Sequence, residues 1–259
     1  MVKKLIAKKS VTFSLLLSVL FIYASCSSSS GPSVSRAKIL VTHASPNTPT
    51  VNLVIDNDVV GGNTPARLSF TQSTRVETDP GTRRIRVRLD GINPPVDILD
   101  IQNLTLAEGK DYSLYVIDTL VGVSNLKTLF ITDDLTAPPS GQAGVRFLHL
   151  SPDAPAVDFV TFTGTPGLPQ NVQPITNGTN RTFNRTVTSA QTTFVNIPAG
   201  SRVGVRLAGT TGSLIGEFTI PGGSSGVAAG RLYTFCVMGL ARPGAPPAQS
   251  LTLVATVNN

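Results

Sequence analysis

The sequence has no tryptophan, and only two histidines and two cysteines occur among its 259 residues. Charged residues make up 14% of the chain, against about a quarter in an average soluble protein. Histidine and cysteine are common metal ligands and common catalytic residues, so their scarcity argues against a metal centre and against nucleophilic catalysis. The 6% aromatic content also argues against a surface on which bases or sugar rings could stack. We therefore expect no enzyme activity, no cofactor, no metal and no nucleic-acid partner.

The amino terminus has the three zones of an export signal. Four lysines lie in the first nine residues, an apolar run covers residues 11–23, and Ala24-Ser25-Cys26 follows. The apolar run is too short to span a bilayer but has the length of a signal-peptide core. The segment resembles a bacterial lipoprotein signal, with Tyr23 at a position where an aliphatic residue is usual. This resemblance implies that residues 1–25 are removed and that Cys26 carries the lipid.

A lipid on Cys26 sets the expected location of the protein. It would anchor the chain to the cell envelope, with residues 26–35 as a flexible Ser-rich tether. Ser27 replaces the acidic residue that favours retention at the inner membrane, so we expect the outer membrane in a diderm. The open alternative is a secreted protein cleaved near Ser25. If Cys26 is lipidated, Cys236 has no disulfide partner, and its apolar surroundings predict a buried, inert thiol.

The chain contains an internal repeat. A His-x-Ser-Pro-x-x-Pro-x-Val block begins at His43 and again at His149. Three further blocks recur in the same order: 80–89 as 198–207, 106–116 as 227–237, and 129–132 as 253–256. Repetition at this spacing indicates two copies of one module. We predict the copies at residues 36–136 and 144–259, joined by a linker at 137–143, with insertions in the second copy chiefly within 164–184.

These blocks resemble a family of bacterial secreted modules known as domain of unknown function 4397. The resemblance rests on the His-Ser-Pro opening and on a Gly-x-x-Tyr strand that begins at Gly109 and Gly230. It covers nearly all of residues 36–259, once per copy. It implies an extracytoplasmic β-sandwich, commonly in tandem and often on lipoproteins. It implies no established activity and no catalytic residues.

The residue pattern predicts the same fold. Apolar and polar residues alternate through residues 84–89, and similar runs recur between clusters of Gly, Pro, Asn and Asp. No helical stripe of sufficient length is present. We therefore predict an all-β protein made of two tandem antiparallel, Ig-like β-sandwiches, with about seven strands in each copy.

The two histidines occupy equivalent positions just before a Ser-Pro turn, in which proline restricts the backbone. We predict a structural role for this turn, with each ring directed inward and bonded to the turn backbone or to the serine hydroxyl. The turn motif comprises His43, Ser45 and Pro46 in the first copy and His149, Ser151 and Pro152 in the second.

Two sets of side chains are candidate ligand sites. Arg84, Arg86 and Arg88 project from one face of a predicted strand, where guanidinium groups could bind phosphate or carboxylate. The alternative is a solvated face whose charges prevent unwanted strand pairing. The second set belongs to the second copy alone, because asparagine replaces both acids in the first: His149, Asp153 and Asp158.

These features favour a cell-envelope protein with a binding or structural role. One alternative is a receptor for an envelope polyanion or glycan, which would use the arginine face. The other is a hydrolase, but Ser45 and Ser151 lie in no Gly-x-Ser-x-Gly elbow. The expected partners are the membrane, through the lipid, and an envelope glycan or another envelope protein.

Overall fold

The structure, a computed structural model, describes residues 34–165, 168–186, 188, 192–211 and 213–259. These residues form seventeen strands and one short 3-10 helix, Pro247–Gln249. The prediction of an all-β fold is therefore confirmed. The strands fall into four sheets, two within residues 37–133 and two within residues 142–257, which correspond to the ranges predicted as the first copy and the second copy.

The first copy contains a first inner sheet and a first outer sheet. The inner sheet has the spatial order β5 (Ser73–Thr78), β1 (Ala37–His43), β8 (Asp111–Ile117) and β9 (Lys127–Asp133). The outer sheet has the order β3 (Asp58–Val59), β2 (Val51–Ile55), β6 (Gly81–Leu89) and β7 (Asp97–Leu106), and β4 (Arg67–Leu68) also pairs with β2.

The second copy contains the corresponding two sheets. The second inner sheet has the order β13 (Val195–Pro198), β10 (Gln142–His149), β16 (Leu232–Met238) and β17 (Thr252–Val257). The second outer sheet has the order β12 (Leu168–Pro174), β11 (Val157–Thr165), β14 (Arg202–Leu207) and β15 (Gly216–Glu217). The region in which the sequence predicts an insertion thus contains the edge strand β12.

Each inner sheet includes one parallel pair of strands. β1 is parallel to β8, with His43 beside Val116, and β10 is parallel to β16, with His149 beside Val237. The other paired strands are antiparallel. The residue pattern predicts antiparallel sheets throughout. The parallel pair could not be predicted, because its two strands are distant in the chain. Side chains alternate along a strand in the same way whether its neighbour is parallel or antiparallel.

The two central strands of each inner sheet are buried on both faces. In β8, Tyr112 and Leu114 enter the core between the first inner and outer sheets, whereas Tyr115 and Ile117 point to the opposite side. The second copy has its own core between its inner and outer sheets. Strands that are covered on both faces read as continuous apolar runs, which explains why these strands lack a polar side.

A third core joins the two inner sheets. Its buried members come from both copies: Ala44, Tyr115, Ile117, Leu129, Ile131, Leu148, Leu150, Cys236 and Met238. The sheets therefore stack in the order outer, inner, inner, outer, and residues 34–259 form one compact unit. The partly apolar second face of β1, evident in the sequence, belongs to a strand in this central layer.

The third core also corrects the last repeat block by one residue. Leu129 lies in the third core. In β17 the residue that packs against this core is Val254, whereas Leu253 packs in the core of the second copy. Side chains alternate along a strand, so a shift of one residue moves each of them to the opposite face. Equivalent residues of β9 and β17 are therefore 125 positions apart in the sequence, not 124 as the repeat block predicts.

The two copies point in the same direction. The guanidinium of Arg146 reaches Ser113, the third residue of β8, and Thr234, the third residue of β16. These equivalent strands therefore begin at the same end of the molecule. We call this end the base, and we call the opposite end, which carries His43 and His149, the turn end.

Candidate functional site

The turn motif holds each histidine ring inside the protein. His43 and His149 are fully buried. Nε2 of His43 lies 3.2 Å from the carbonyl oxygen of Pro49, and Nε2 of His149 lies 3.0 Å from that of Pro155. A carbonyl can only accept, so Nε2 carries the proton and donates in both copies. The rings thus bond to the turn backbone.

The serines of the motif bond within their own turns and not to the histidines. The hydroxyl oxygens of Ser45 and Thr48 lie 2.6 Å apart. Ser151 accepts a hydrogen bond from the backbone N–H of Ala154 at 3.3 Å and donates to Asp153 at 3.4 Å. A serine nucleophile activated by histidine requires a direct hydrogen bond between the two side chains. This geometry supplies none for the serines of the motif.

Burial keeps both imidazoles neutral. Desolvation lowers the pKa of His43 and of His149 below the ordinary 6.5, although the hydrogen bonds to the turn carbonyls oppose the shift. Nδ1 of each ring has no hydrogen-bond partner among the described residues. Protonation would therefore place a charge in the interior and add an N–H at Nδ1 that has no acceptor among the described residues.

We expect the free energy of unfolding to fall as the pH drops below about 6.5. The unfolded chain binds protons at this pH while the folded histidines resist them, so acid favours the unfolded state. Urea unfolding at pH 7.5 and at pH 5.5 measures the loss. His43→Gln with His149→Gln should flatten this dependence, since glutamine can donate to the carbonyl but does not titrate. Equal stability of the wild type at both pH values would refute the assignment.

The arginine face is a network of ion pairs with acidic residues of β7. Nε and Nη2 of Arg84 donate to the two carboxylate oxygens of Asp100 at 2.8 and 2.6 Å. Arg86 and Arg88 both donate to Asp97, at 3.1 and 2.7 Å. The hydrogen bond from Arg84 lowers the pKa of Asp100 to about 2, and that from Arg88 lowers the pKa of Asp97. Each guanidinium already has a carboxylate partner, so the face is not a free row of cations.

The acidic residues of the second copy hold separate loops. Asp153 accepts from the backbone N–H of Ala241 at 2.7 Å. Asp158 accepts from that of Asn180 at 2.8 Å and pairs with Arg206 at 3.5 Å. The structure does not bring these acids together with His149 around one point. In the described part of the chain, no group of three His, Cys, Asp or Glu side chains is placed to hold a metal ion.

A polar junction between the two inner sheets is not among the features predicted from the sequence. Arg146 of β10 pairs with Asp133, the last residue of β9, at 2.7 Å, and their side chains are 0% and 3% exposed. Ser113 donates to the other carboxylate oxygen at 2.7 Å. Arg146 also donates to the hydroxyl oxygen of Thr234 at 2.9 Å, and Thr234 donates to Asn258 at 2.8 Å. One buried network therefore links both copies at their base.

A signal for this junction is present in the sequence. Arg146 is the only charged residue in an otherwise apolar strand run, and Leu40 occupies its position in the first copy. A charge in a strand that is buried on both faces requires a partner of opposite sign. The sequence could not name Asp133 as that partner, because the stacking order of the sheets decides which strands meet.

Only one of the two cysteines, Cys236, lies among the described residues. Cys236 is fully buried in the third core, which confirms the prediction of a buried thiol. Burial raises the pKa of this thiol to about 12, which disfavours the reactive thiolate. Cys26, the predicted lipid attachment site, lies outside the described residues. Over the residues that the structure describes, no helix is both long and apolar enough to cross a membrane.

Part of the chain matches a known protein family. Residues 37–160 match the family described as Domain of unknown function (DUF4397). The DUF4397 match begins at β1, runs through β9 and continues through β10 into β11. The second copy of the module therefore stays a prediction from the repeated blocks. No curated protein matches the sequence.

Two solved structures align over most of the chain at low similarity. The tip fimbrial protein Mfa3 from Porphyromonas gingivalis, with a C-terminal truncation, is 10% identical; the alignment covers 86% of this chain and 99% of that one, with a TM-score of 0.27. A candidate cell adhesion protein from Bacteroides eggerthii DSM 20697 is 12% identical over 87% and 96% of the two chains, with a TM-score of 0.20. Scores this low do not establish a shared fold.

Proposed function

We propose that the protein is a non-enzymatic cell-envelope lipoprotein, held by a lipid on Cys26, with a binding or structural role. The observation that supports this proposal is that the polar side chains best suited to chemistry are bonded within the protein. Both histidines donate to turn carbonyls, and Asp153 and Asp158 each hold a loop. These groups stabilise the fold and are not arranged around a common substrate position.

The direction of the strands determines which end of the molecule would lie farther from a lipid tether. β1 begins at Ala37, at the base, and Val34–Arg36 lead into it. In this proposal residues 26–35 are the tether, and ten residues of random coil would have a root-mean-square span of roughly 15–20 Å. The tether would hold the base towards the membrane, and the loops at the turn end of both copies would lie farthest from it. We place the binding role at this end.

The arginine face is a weaker candidate for a polyanion or glycan receptor. An incoming phosphate or carboxylate would have to displace Asp97 and Asp100 from Arg84, Arg86 and Arg88. Exchange of one anion for another gains little free energy at a surface. The interaction of these arginines is better explained as cross-strand pairing that fixes β6 against β7.

Cys26→Ser tests the anchor directly. Cells that express the full chain are labelled with a fatty-acid analogue and then separated into membrane and soluble fractions. We expect label and membrane association for the wild type and the loss of both for Cys26→Ser, whereas Ser27→Ala, the adjacent control, should keep both. Label that persists in Cys26→Ser, or a wild type without label, would contradict the proposal.

A separate assay tests the absence of catalysis. The purified wild type is incubated with ester, peptide and glycoside substrates, alongside His149→Ala, whose fold is checked by circular dichroism. We expect the same background rate for both proteins. A hydrolytic rate that the folded variant loses would assign an enzymatic function to the turn motif.

A further inference from the structure

The four sheets end in edge strands, and nearly all of them carry a feature that prevents pairing with another chain. Exposed strand edges promote association, and proteins block them with charges, prolines or very short strands. Charges lie at β5 (Arg75, Glu77), β7 (Asp97, Asp100) and β9 (Lys127, Asp133); prolines lie at β12 (Pro169, Pro174) and β13 (Pro198); β3 and β15 have two residues each.

The edge strand β17 has none of these features. Thr252–Val257 reads Thr-Leu-Val-Ala-Thr-Val, without charge, proline or glycine, and every residue is partly exposed. The equivalent strand β9 carries Lys127 and Asp133, and the structural equivalence places Thr252 and Asn258 at those positions. The second copy therefore lacks the protection that the first copy has at this edge.

Among the described residues, the outward backbone groups of β17 have no hydrogen-bond partner. The N–H of Asn258 donates to the carbonyl oxygen of Leu232 at 2.9 Å. Backbone groups of an antiparallel strand alternate in direction, so the even-numbered residues of β17 bond to β16. The N–H and C=O groups of Leu253, Ala255 and Val257 then point outward. In the described part of the chain, no strand lies beyond β17 in its sheet.

We propose that β17 pairs in antiparallel fashion with β17 of a second copy of this protein, with Ala255 on the two-fold axis. In this register Leu253 of one copy lies opposite Val257 of the other, and the three outward-facing residues of each strand exchange backbone hydrogen bonds. The two second inner sheets join into one continuous sheet of eight strands.

The side chains of β17 fit a second copy. Leu253, Ala255 and Val257 all pack towards the core of the second copy, so the proposed register sets apolar residues opposite apolar residues on that face. No like charges meet, because the strand has none. The small side chain of Ala255 lets the two strands approach at their axis. A strand with these properties is complementary to itself, which favours a second copy over a strand from a different protein.

Sedimentation of the full chain in detergent, over a range of concentrations, tests the proposal. We expect a monomer–dimer equilibrium for the wild type. In Ala255→Pro the outward N–H is absent, so no bond within the chain is lost, and proline is tolerated at such edge positions. The dissociation constant should rise at least about tenfold, as expected when more than one backbone hydrogen bond is lost. Ala255→Ser, which keeps the N–H, should change it by less than about twofold.

Hydrogen exchange on the wild type is a second measurement that needs no variant. The amides of Leu253, Ala255 and Val257 should exchange more slowly as the protein concentration rises. Those of Val254 and Thr256 should be protected at every concentration, because they bond to β16. A monomer at all concentrations, equal association of the wild type and Ala255→Pro, or exchange that does not depend on concentration would each overturn the proposal.

Discussion

Replacement of Arg146 by alanine is expected to lower the free energy of unfolding by about 3–5 kcal/mol, as measured by urea denaturation. The guanidinium is fully buried and pairs with Asp133 at 2.7 Å. Its removal leaves the carboxylate of Asp133 inside the protein, with Ser113 as its remaining hydrogen-bond donor. Burial of a charge without a counterion carries a large penalty, and this penalty is the main source of the expected loss.

Two further variants separate this explanation from a general loss of contacts. Arg146→Leu combined with Asp133→Leu removes both charges and should restore much of the stability, since an apolar pair of similar volume can replace a buried ion pair. Arg84→Ala breaks a more exposed pair and should shift the unfolding midpoint much less. If Arg146→Ala costs less than about 1 kcal/mol, the pair is not buried in solution.

Leu148→Ala should cost about 2–5 kcal/mol, because it opens a cavity in the third core. Leu148 is fully buried there, between the two inner sheets. Its burial requires the contact between the copies: β10 directs Val145 and Phe147 to the core of its own copy and Leu148 to the opposite side. The variant therefore reports on the junction. Chemical denaturation monitored by circular dichroism measures the change.

Val123→Ala is the matched control for this prediction. Val123 is 62% exposed, so its truncation should alter the free energy of unfolding by no more than about 0.5 kcal/mol. If the two copies were independent modules in solution, Leu148 would lie on an open sheet face. Leu148→Ala would then resemble Val123→Ala, a result that would contradict the four-layer arrangement.

The sequence predicted well what depends on local pattern. Alternation in residues 84–89 correctly gave β6, and the recurring Ser-Pro turns placed His43 and His149 at strand ends. It failed where the outcome depends on partners distant in the chain. Asp97 and Asp100 had no evident connection to the arginines, because only the pairing of β6 with β7 brings the two sets together.

The junction between the copies shows the same limit more clearly. Tyr115, Cys236 and Met238 could be identified as apolar, but no local pattern distinguishes a strand buried in one core from a strand buried between two. The residue that did carry information was Arg146, a charge within an apolar run. Asp133 could not be recognised as its partner, because it lies at the end of β9 and next to the predicted linker.

The two sandwiches form one body through their inner sheets. Differential scanning calorimetry of the full chain tests this claim most directly. We predict a single transition whose calorimetric and van't Hoff enthalpies agree, because the third core and the pair of Arg146 with Asp133 couple the copies. Two resolved transitions, of which only one moves in Leu148→Ala, would contradict it.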